Sequence, residues 1–361
     1  MSRSPRRLLV VSTAVGTLGS GKGGGVEVTL AGLVAGLIDR GHSLTVLAAE
    51  GSKLPPGCEA ATLWSQPGVD QPSWQHQPRQ GGVQLPAGSL LAGLWETALN
   101  RQGDFDAILN LGYDWLPFWL TRHLATPLFH LVSMGSVATV MDEVITAVDR
   151  WNPGRLAFHS AAQAGDFRLG RPAKVVGNGF DLASYVFRPR ADPEAGLGWA
   201  GRIAPEKGLE DAAAVAAQLG RRLSVWGLRA DPAYALAVEA SVPAGTIDWR
   251  GFLPSERLQA ELGGCAVLLN TPKWNEAYGN VVVEAMACGV PVVAYRRGGP
   301  AELVQSGLTG MLVPPDDGEA MAGAVAAAEQ LNRYDCRRWV EQHCSREAFA
   351  ARIEAWLSEG L

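Results

Sequence analysis

A pair of carboxylates in the last third of the chain has a spacing that suits ligand binding. Glu276 and Glu284 are separated by seven residues, and a glycine-containing turn lies between them. Glu284 stands in the apolar segment 281–287, where a buried carboxylate needs a partner. Gly289 and Pro291 then end the predicted helix. Helix N-termini attract anions, so the segment favours a ligand with both phosphate and hydroxyl groups, such as a nucleotide sugar.

A second segment places two cations at the start of another predicted helix. Residues 201–208 read Gly-Arg-Ile-Ala-Pro-Glu-Lys-Gly and follow a predicted strand. The helix dipole opposes cations at this end unless an anion shares the site, and a diphosphate is such an anion. Arg202 can bind it through two parallel hydrogen bonds. The alternative is that Arg202 and Lys207 are solvated surface charges, and the nearby pattern of glutamates favours the diphosphate.

A glycine-rich loop near the start of the chain offers a rival hypothesis. Residues 16–25 match the spacing G-x-x-x-x-G-K of a phosphate-binding loop. Lys22 is followed by Gly23 rather than Ser or Thr, so the hydroxyl that would coordinate magnesium is missing. The rival is an NTPase or kinase that uses this loop. The other use is a flexible backbone that lets a phosphate or sugar approach Gly24 and Gly25 closely.

Other polar residues give weaker signals for a site. Asp104 and Asp106 have the D-x-D spacing of a metal–diphosphate site, but their place before a strand favours a turn role. No two histidines have the spacing of metal ligands. His130 lies in a predicted strand, where we expect it in the core, with a position facing a cleft as the alternative.

Length and charge limit the class of protein. The 361 residues are enough for two domains. A net charge of -5 without blocks of like charge argues against nucleic acid as the main partner. No apolar stretch reaches membrane-spanning length. Five scattered cysteines favour reduced thiols and a cytoplasmic location. Nothing in the sequence indicates the oligomeric state.

Alternating strands and helices must position these residues. The pattern predicts an α/β protein of two Rossmann-like, doubly wound parallel-sheet domains that face each other across a cleft, with a hinge near residue 185. Ligands of such sheets bind at the carboxyl ends of the strands. Residues 51–88 predict an irregular excursion. The predicted strands are 8–12, 44–48, 107–111, 128–132, 173–176, 197–201, 222–227, 247–250, 266–270 and 292–295.

Taken together and in this order, several segments resemble the retaining glycosyltransferase family 4, which has the GT-B fold. The resemblance extends over nearly the whole chain and is most specific in its second half. It rests on Gly24-Gly25, the Asn178–Asp181 turn, the 201–208 loop, the Glu276/Glu284 pair with residues 285–293, and Gly298–Glu302.

The resemblance implies roles for the residues singled out above. Arg202, Lys207 and Glu276 would be catalytic, the two cations by stabilising the leaving diphosphate. The donor would be a UDP-sugar, with no bound cofactor and no required metal. The first domain, 1–184, would be joined by a C-terminal helix at about 346–361, and the second would be 185–345. Donor-binding residues would be Gly24, Gly25, Arg202, Lys207, Phe252, Leu253, Glu276, Ala277, Tyr278, Gly279, Asn280 and Glu284.

The acceptor side departs from the family pattern. Many members carry a histidine after the fourth strand, where this chain has Ser133, with His130 three residues earlier. These two residues and Asp114 are the acceptor-binding candidates. Residues 12–21 and 130–136 are similar to glucosyltransferases that act on tetrahydrobiopterin, which implies UDP-glucose as donor and a small pterin acceptor that the tryptophans of the first domain would stack on. A non-catalytic scaffold that binds nucleotide sugars is the remaining alternative.

Overall fold

A computed structural model of the chain describes residues 4–21, 23–192 and 194–361. Lys22, on which the phosphate-loop hypothesis depends, lies outside the described residues. In the described part, the strands are β1 (Arg7–Val11), β2 (Ser43–Ala49), β3 (Thr62–Gln66), β4 (Ala107–Asn110), β5 (Leu128–Val132), β6 (Leu156–Phe158), β7 (Leu197–Ala200), β8 (Leu223–Trp226), β9 (Ile247–Gly251), β10 (Val267–Asn270), β11 (Val292–Tyr295) and β12 (Gly310–Val313).

The α-helices mostly alternate with these strands. A short 3-10 helix, Pro205–Lys207, lies directly before the α-helix Leu209–Gln218. The helices are α1 (Gly25–Asp39), α2 (Leu90–Arg101), α3 (Trp115–Leu120), α4 (Thr139–Trp151), α5 (Ala161–Ala164), α6 (Leu209–Gln218), α7 (Pro232–Ala240), α8 (Ser255–Leu262), α9 (Asn280–Ala287), α10 (Pro300–Leu303), α11 (Gly318–Glu329), α12 (Arg333–His343) and α13 (Arg346–Gly360).

The chain divides into two compact units. Unit 1 is Met1–Phe180 together with Ser345–Leu361, and unit 2 is Asp181–Cys344. These boundaries lie within four residues of the limits given above for the two domains. Helix α13 therefore returns to the unit in which the chain begins.

Unit 1 is built on a parallel sheet with the strand order β3-β2-β1-β4-β5-β6. Strand β1 is buried throughout except at its first residue, as expected where helices cover both faces of a sheet. Helix α13 contributes Phe349, Ile353 and Trp356 to the same core cluster as helix α1. The order reverses between β1 and β4, so the loops that follow these two strands form the topological switch point of this unit.

Unit 2 repeats this topology. Its parallel sheet has the order β12-β11-β10-β7-β8-β9, which is the same pattern counted from β7. Helices α6 and α11 and the sheet share one core that includes Leu209, Val215 and Met321. The switch point lies between β7 and β10, and residues 201–208 and 271–279 leave the sheet there.

Three strands were not predicted, and one predicted strand is absent. Residues 173–176 form no strand in the described structure, since only Val175 makes an isolated bridge, to Phe158. Strand β6 is only three residues long, and β3 lies within the expected irregular excursion. Strand β12 begins with a glycine. Short strands and polar edge strands lack the long apolar run that carries the sequence signal.

Two further observations bear on the sequence expectations. Among the described residues, no helix combines the length and the apolar character needed to cross a bilayer. All five cysteines are buried and free. Cys288 packs with its Sγ 3.6 Å from the carbonyl oxygen of Gln259, and burial raises the pKa of its thiol to about 11.

Candidate functional site

The loops after β7 and β10 are clamped together at Gly208. This glycine has φ +66°, and a Cβ added to it would fall too close to the carbonyl oxygen of Thr271 for any contact that real Cβ atoms make. The Thr271 hydroxyl donates to the carbonyl oxygen of Gly208 at 2.7 Å and accepts from the indole N–H of Trp199 at 3.2 Å. The close approach of two backbones therefore requires glycine here.

This clamp brings Lys207 and Glu276 into direct contact. The Lys207 ammonium forms an ion pair with Oε2 of Glu276. The same carboxylate oxygen accepts a hydrogen bond from the indole N–H of Trp274 at 3.1 Å. The ammonium also lies 5.0 Å from the centroid of the Trp274 ring. Lys207 and Glu276 are 69 positions apart in the sequence, and the structure joins them at the switch point.

Arg202 lies in the same loop as Lys207. Its guanidinium pairs with the carboxylate of Glu206, and both side chains are partly exposed. The carbonyl oxygen of Glu206 accepts from the backbone N–H of Lys273 at 2.9 Å, which ties the loop a second time to the segment after β10. Arg202 and Lys207 thus stand at the start of α6, where their charges can meet an anion.

The turn before α9 depends on two neighbouring glycines. Gly298 has φ +65°, and a Cβ there would lie 2.5 Å from the backbone nitrogen of Glu276. The N–H of Gly299 donates to the carbonyl oxygen of Glu276 at 2.7 Å, and a Cβ added to Gly299 would clash with the backbone of Tyr278. Gly279 has φ +99° and caps α9. Ala277 and Asn280 complete the turn and open the helix, so the whole segment is held at the carboxyl end of β10.

Glu284 lies one helical turn into α9 and is half-buried. It accepts a hydrogen bond from the hydroxyl of Tyr185. Burial raises the pKa of its carboxyl group to about 7, and the hydrogen bond from Tyr185 offsets part of that rise. The carboxylate is therefore poised near its titration point at neutral pH.

The two residues expected near a base follow β9. Phe252 is 59% exposed, and Leu253 is half-buried. In the sheet, β9 lies two strands from β7, which corresponds to about 10 Å. The exposed ring of Phe252, in the loop after β9, offers a flat apolar surface.

The glycine-rich loop of unit 1 differs from a phosphate-binding loop. The backbone N–H groups of Gly19 and Gly23 donate to the Glu27 carboxylate at 2.9 and 3.1 Å. Those are donors that a bound phosphate would need. Gly24 has φ +54° and precedes α1, which begins at Gly25. The carboxylate of Glu27, in the first turn of α1, therefore holds two backbone donors that the NTPase hypothesis would assign to a phosphate.

Asp114 is the sequence candidate with the most unusual environment in unit 1. It is buried at the start of α3, beyond the carboxyl end of β4. Its Oδ1 accepts from the indole N–H of Trp74 at 3.2 Å, and its buried Oδ2 has no hydrogen-bond partner. Burial raises the pKa of this carboxyl group to about 7. Ser133 follows β5, the neighbouring strand, and is half-buried.

His130 occupies the core rather than a cleft. Its side chain is fully buried and stacks on Phe118 with ring centroids 4.2 Å apart. Its Nδ1 is 3.1 Å from the Asn110 amide nitrogen, and its Nε2 is 2.8 Å from the Thr121 hydroxyl. Burial lowers the pKa of the imidazole to about 3. The acceptor-binding role considered for His130 does not fit this geometry, because both ring nitrogens already have partners.

The D-x-D carboxylates have structural partners. Asp104 pairs with Arg101 at 2.7 Å, and Asp106 accepts from the backbone N–H of Arg7 at 2.7 Å. Both stand before β4, at the end of the sheet opposite to the switch point. Within the part of the chain that the structure describes, no three His, Cys, Asp or Glu side chains are grouped as a metal site would require.

Sequence reasoning missed Thr271, Trp274 and Tyr185. Threonine and tryptophan in an irregular loop give no periodic signal. Thr271 bonds to Gly208 and Trp199, which are distant in sequence, and Trp274 contacts the distant Lys207 as well as the nearby Glu276. Tyr185 contacts Glu284 from the start of unit 2, where the sequence predicts only a hinge.

Known proteins with similar sequences place the chain in a family. Residues 194–330 match the family described as Glycosyl transferases group 1. A D-inositol 3-phosphate glycosyltransferase of Geodermatophilus obscurus is 30% identical, over 93% of this chain and 86% of that protein. The enzyme of the same name from Saccharomonospora viridis is 28% identical over 98% and 93%. A 2-deoxystreptamine glucosyltransferase of Streptomyces kanamyceticus is 29% identical over 58% and 60%.

Solved structures agree on the fold. The Anabaena protein HepE in complex with UDP-glucose matches with a TM-score of 0.72 at 19% identity, over 98% of this chain and all of that one. Sucrose-phosphate synthase from Thermosynechococcus elongatus matches with a TM-score of 0.75 at 19% identity, over 98% of each chain. The predicted GT-B fold is confirmed, and the chain belongs to the group 1 family of glycosyltransferases.

Proposed function

We propose that the protein transfers a sugar from a UDP-sugar, with glucose as the sugar, to a hydroxyl group of a small-molecule acceptor, with retention of anomeric configuration. The observation that carries this proposal is the meeting of Lys207 and Glu276 at the switch point of unit 2. These two side chains form an ion pair with each other. When the donor binds, its diphosphate would take Lys207 as partner and a sugar hydroxyl would take Glu276.

The surroundings of the pair support a nucleotide sugar. Arg202 adds a second cation at the start of α6, so the loop can neutralise a diphosphate. Glu284 in α9 supplies a carboxylate for ribose hydroxyls. Phe252 follows β9, which lies two strands from β7 in the sheet, and its exposed ring suits contact with a base. The structure of HepE was determined with UDP-glucose bound, and we extend that donor class to this chain.

The proposed chemistry needs few groups from the protein. The bond between the anomeric carbon and the diphosphate oxygen breaks as the acceptor oxygen bonds to the same face of that carbon. The acceptor hydroxyl proton passes to the departing diphosphate oxygen. Arg202 and Lys207 stabilise the negative charge that develops on the diphosphate. Glu276 orients the donor sugar by accepting hydrogen bonds from the hydroxyl groups of that sugar.

The acceptor is a small polar molecule in this proposal. Relatives named for D-inositol 3-phosphate and 2-deoxystreptamine support a ring that carries several hydroxyl groups. A tetrahydrobiopterin acceptor stays a prediction from local sequence similarity alone. The tryptophans of unit 1 differ in their access to such an acceptor, because Trp74 and Trp95 are buried whereas Trp119 is 47% exposed.

The test is release of UDP from UDP-glucose by the purified protein in EDTA, with each acceptor in turn. We expect release that depends on one of inositol phosphate, 2-deoxystreptamine or tetrahydrobiopterin and that EDTA does not abolish. Strict dependence on magnesium, together with loss of activity in Lys22→Ala, would favour the NTPase. UDP binding without turnover on any acceptor or donor sugar would leave the scaffold hypothesis.

A further inference from the structure

We propose that Trp274 is a positioning residue that lets Lys207 and Glu276 exchange their mutual ion pair for contacts with the donor. The inference rests on the proposed function. Trp274 is half-buried in the loop after β10, and it belongs to none of the motifs that pointed to the site.

One indole contacts both members of the ion pair in different ways. Its N–H donates to Oε2 of Glu276 at 3.1 Å, and the Lys207 ammonium lies over its ring, 5.0 Å from the ring centroid. The ammonium is bound to that same carboxylate oxygen. Trp274 therefore completes a three-membered arrangement in which each group touches the other two.

This arrangement addresses a difficulty in binding a diphosphate. An incoming anion must draw Lys207 away from Glu276, and each charge then loses a partner in a partly buried site. The ring face keeps an attraction for the ammonium, and the indole N–H keeps a hydrogen bond on the carboxylate. Trp274 thus holds both side chains in place when the ion pair opens.

Lys273, the residue before Trp274, fixes the backbone of this loop through contacts that do not involve Trp274. The Lys273 ammonium pairs with Asp211 and lies 3.1 Å from a carboxylate oxygen of Asp316. Its backbone N–H donates to Glu206. Since these contacts fix the loop to α6 and to the segment after β12, the side chain of Trp274 is not required to hold the backbone, and its effect on the ion pair can be measured separately.

Two substitutions separate the two contacts. Trp274→Phe keeps an aromatic face for Lys207 and removes the N–H donor to Glu276. Trp274→Leu removes both. Trp339→Leu is the matched control, since Trp339 is also a half-buried tryptophan of unit 2. It stacks on His343 within α12, with the ring centroids 4.6 Å apart.

The experiment measures UDP affinity by calorimetric titration, kcat and KM for UDP release from UDP-glucose, and the melting temperature of each variant. We expect Trp274→Phe to bind UDP within about twofold of the wild type while kcat falls about tenfold, because only the carboxylate loses a hydrogen bond. Trp274→Leu should also bind UDP about fivefold more weakly. Trp339→Leu should leave UDP affinity and kcat at wild-type values.

The outcomes distinguish the two proposals. A wild-type protein that neither binds UDP nor releases it overturns the proposed function and this inference with it. If the wild type is active and Trp274→Phe matches it in kcat, the positioning role is wrong while the function stands. Equal losses in Trp274→Phe and Trp274→Leu, accompanied by a lower melting temperature, would also overturn the positioning role in favour of plain packing.

Discussion

Gly208 allows a sharp test of how the donor site is assembled. Replacing it with alanine introduces two separate effects. The first is the strain of an L-residue at φ +66°, which is worth about 1 kcal/mol. The second is the clash between the new Cβ and the carbonyl oxygen of Thr271. That clash is with backbone, so the loops after β7 and β10 must move apart by about 1.4 Å to regain an ordinary contact.

The chain supplies a control that isolates the first effect. Gly220 has φ +62°, and a Cβ there would meet nothing within 4 Å. We expect Gly220→Ala to lower the free energy of unfolding by about 1 kcal/mol and to leave UDP release unchanged. Gly208→Ala adds overpacking and the loss of the 2.7 Å hydrogen bond from Thr271, for a total of about 3 kcal/mol.

The effect on activity should exceed the effect on stability. Lys207 adjoins Gly208, and a displacement of about 1 Å at a reacting site can lower the rate about 100-fold. Urea unfolding and UDP release from UDP-glucose measure the two quantities in folded protein. If Gly208→Ala equals Gly220→Ala in both, the clamp does not position the site and the reasoning fails.

Two further predictions concern charges at the same site. Lys207→Ala or Arg202→Ala should reduce the rate of UDP release at least tenfold with an unchanged circular-dichroism spectrum, because one preorganised donor to a developing charge contributes about 3 kcal/mol; a wild-type rate in either variant would remove that residue from the diphosphate site. The raised pKa of Glu284, about 7, means that the native state holds this proton more tightly than the unfolded chain. Its contribution to stability is therefore present below about pH 4 and is lost as the pH rises through 7. Relative to Glu284→Gln, the free energy of unfolding of the wild type, measured in urea, should fall by about 2 kcal/mol between pH 4 and pH 8. Parallel pH profiles of the two proteins would show that burial does not shift the pKa of this carboxyl group.

The sequence predicts the fold well because both sheets follow rules that act locally. Apolar strands, glycine-rich turns and alternating helices indicate a doubly wound α/β protein before any contact is known. The same rules fail for β6, which has three residues, and for β3, which lies in a polar excursion. Residues 173–176 show the converse error, because this short run satisfies the pattern but pairs with β6 only through the single bridge of Val175 to Phe158.

The candidate site was predictable as far as its charges and no further. Lys207 and Glu276 stand out through their residue types and their places beside glycines. Thr271 contacts Gly208, and Trp274 contacts Lys207, only because the strand order brings the two loops together, so no spacing in the sequence indicates these contacts. His130 illustrates the opposite case, since its position in a strand does not say whether the ring faces a cleft or the core.

The two units have the same sheet topology, yet their switch points are chemically different. In unit 1 the N–H groups of Gly19 and Gly23, in the loop after β1, donate to Glu27, a residue of the helix that follows the loop. An anion could reach these two donors only by displacing a negative charge of the chain itself. In unit 2 the corresponding loop presents cations paired with carboxylates, Lys207 with Glu276 and Arg202 with Glu206. A diphosphate can replace the carboxylate that pairs with each cation, because both partners are negatively charged. The released carboxylate can then accept hydrogen bonds from hydroxyl groups. The same topology therefore favours a nucleotide sugar in unit 2 and disfavours a phosphate in the loop after β1.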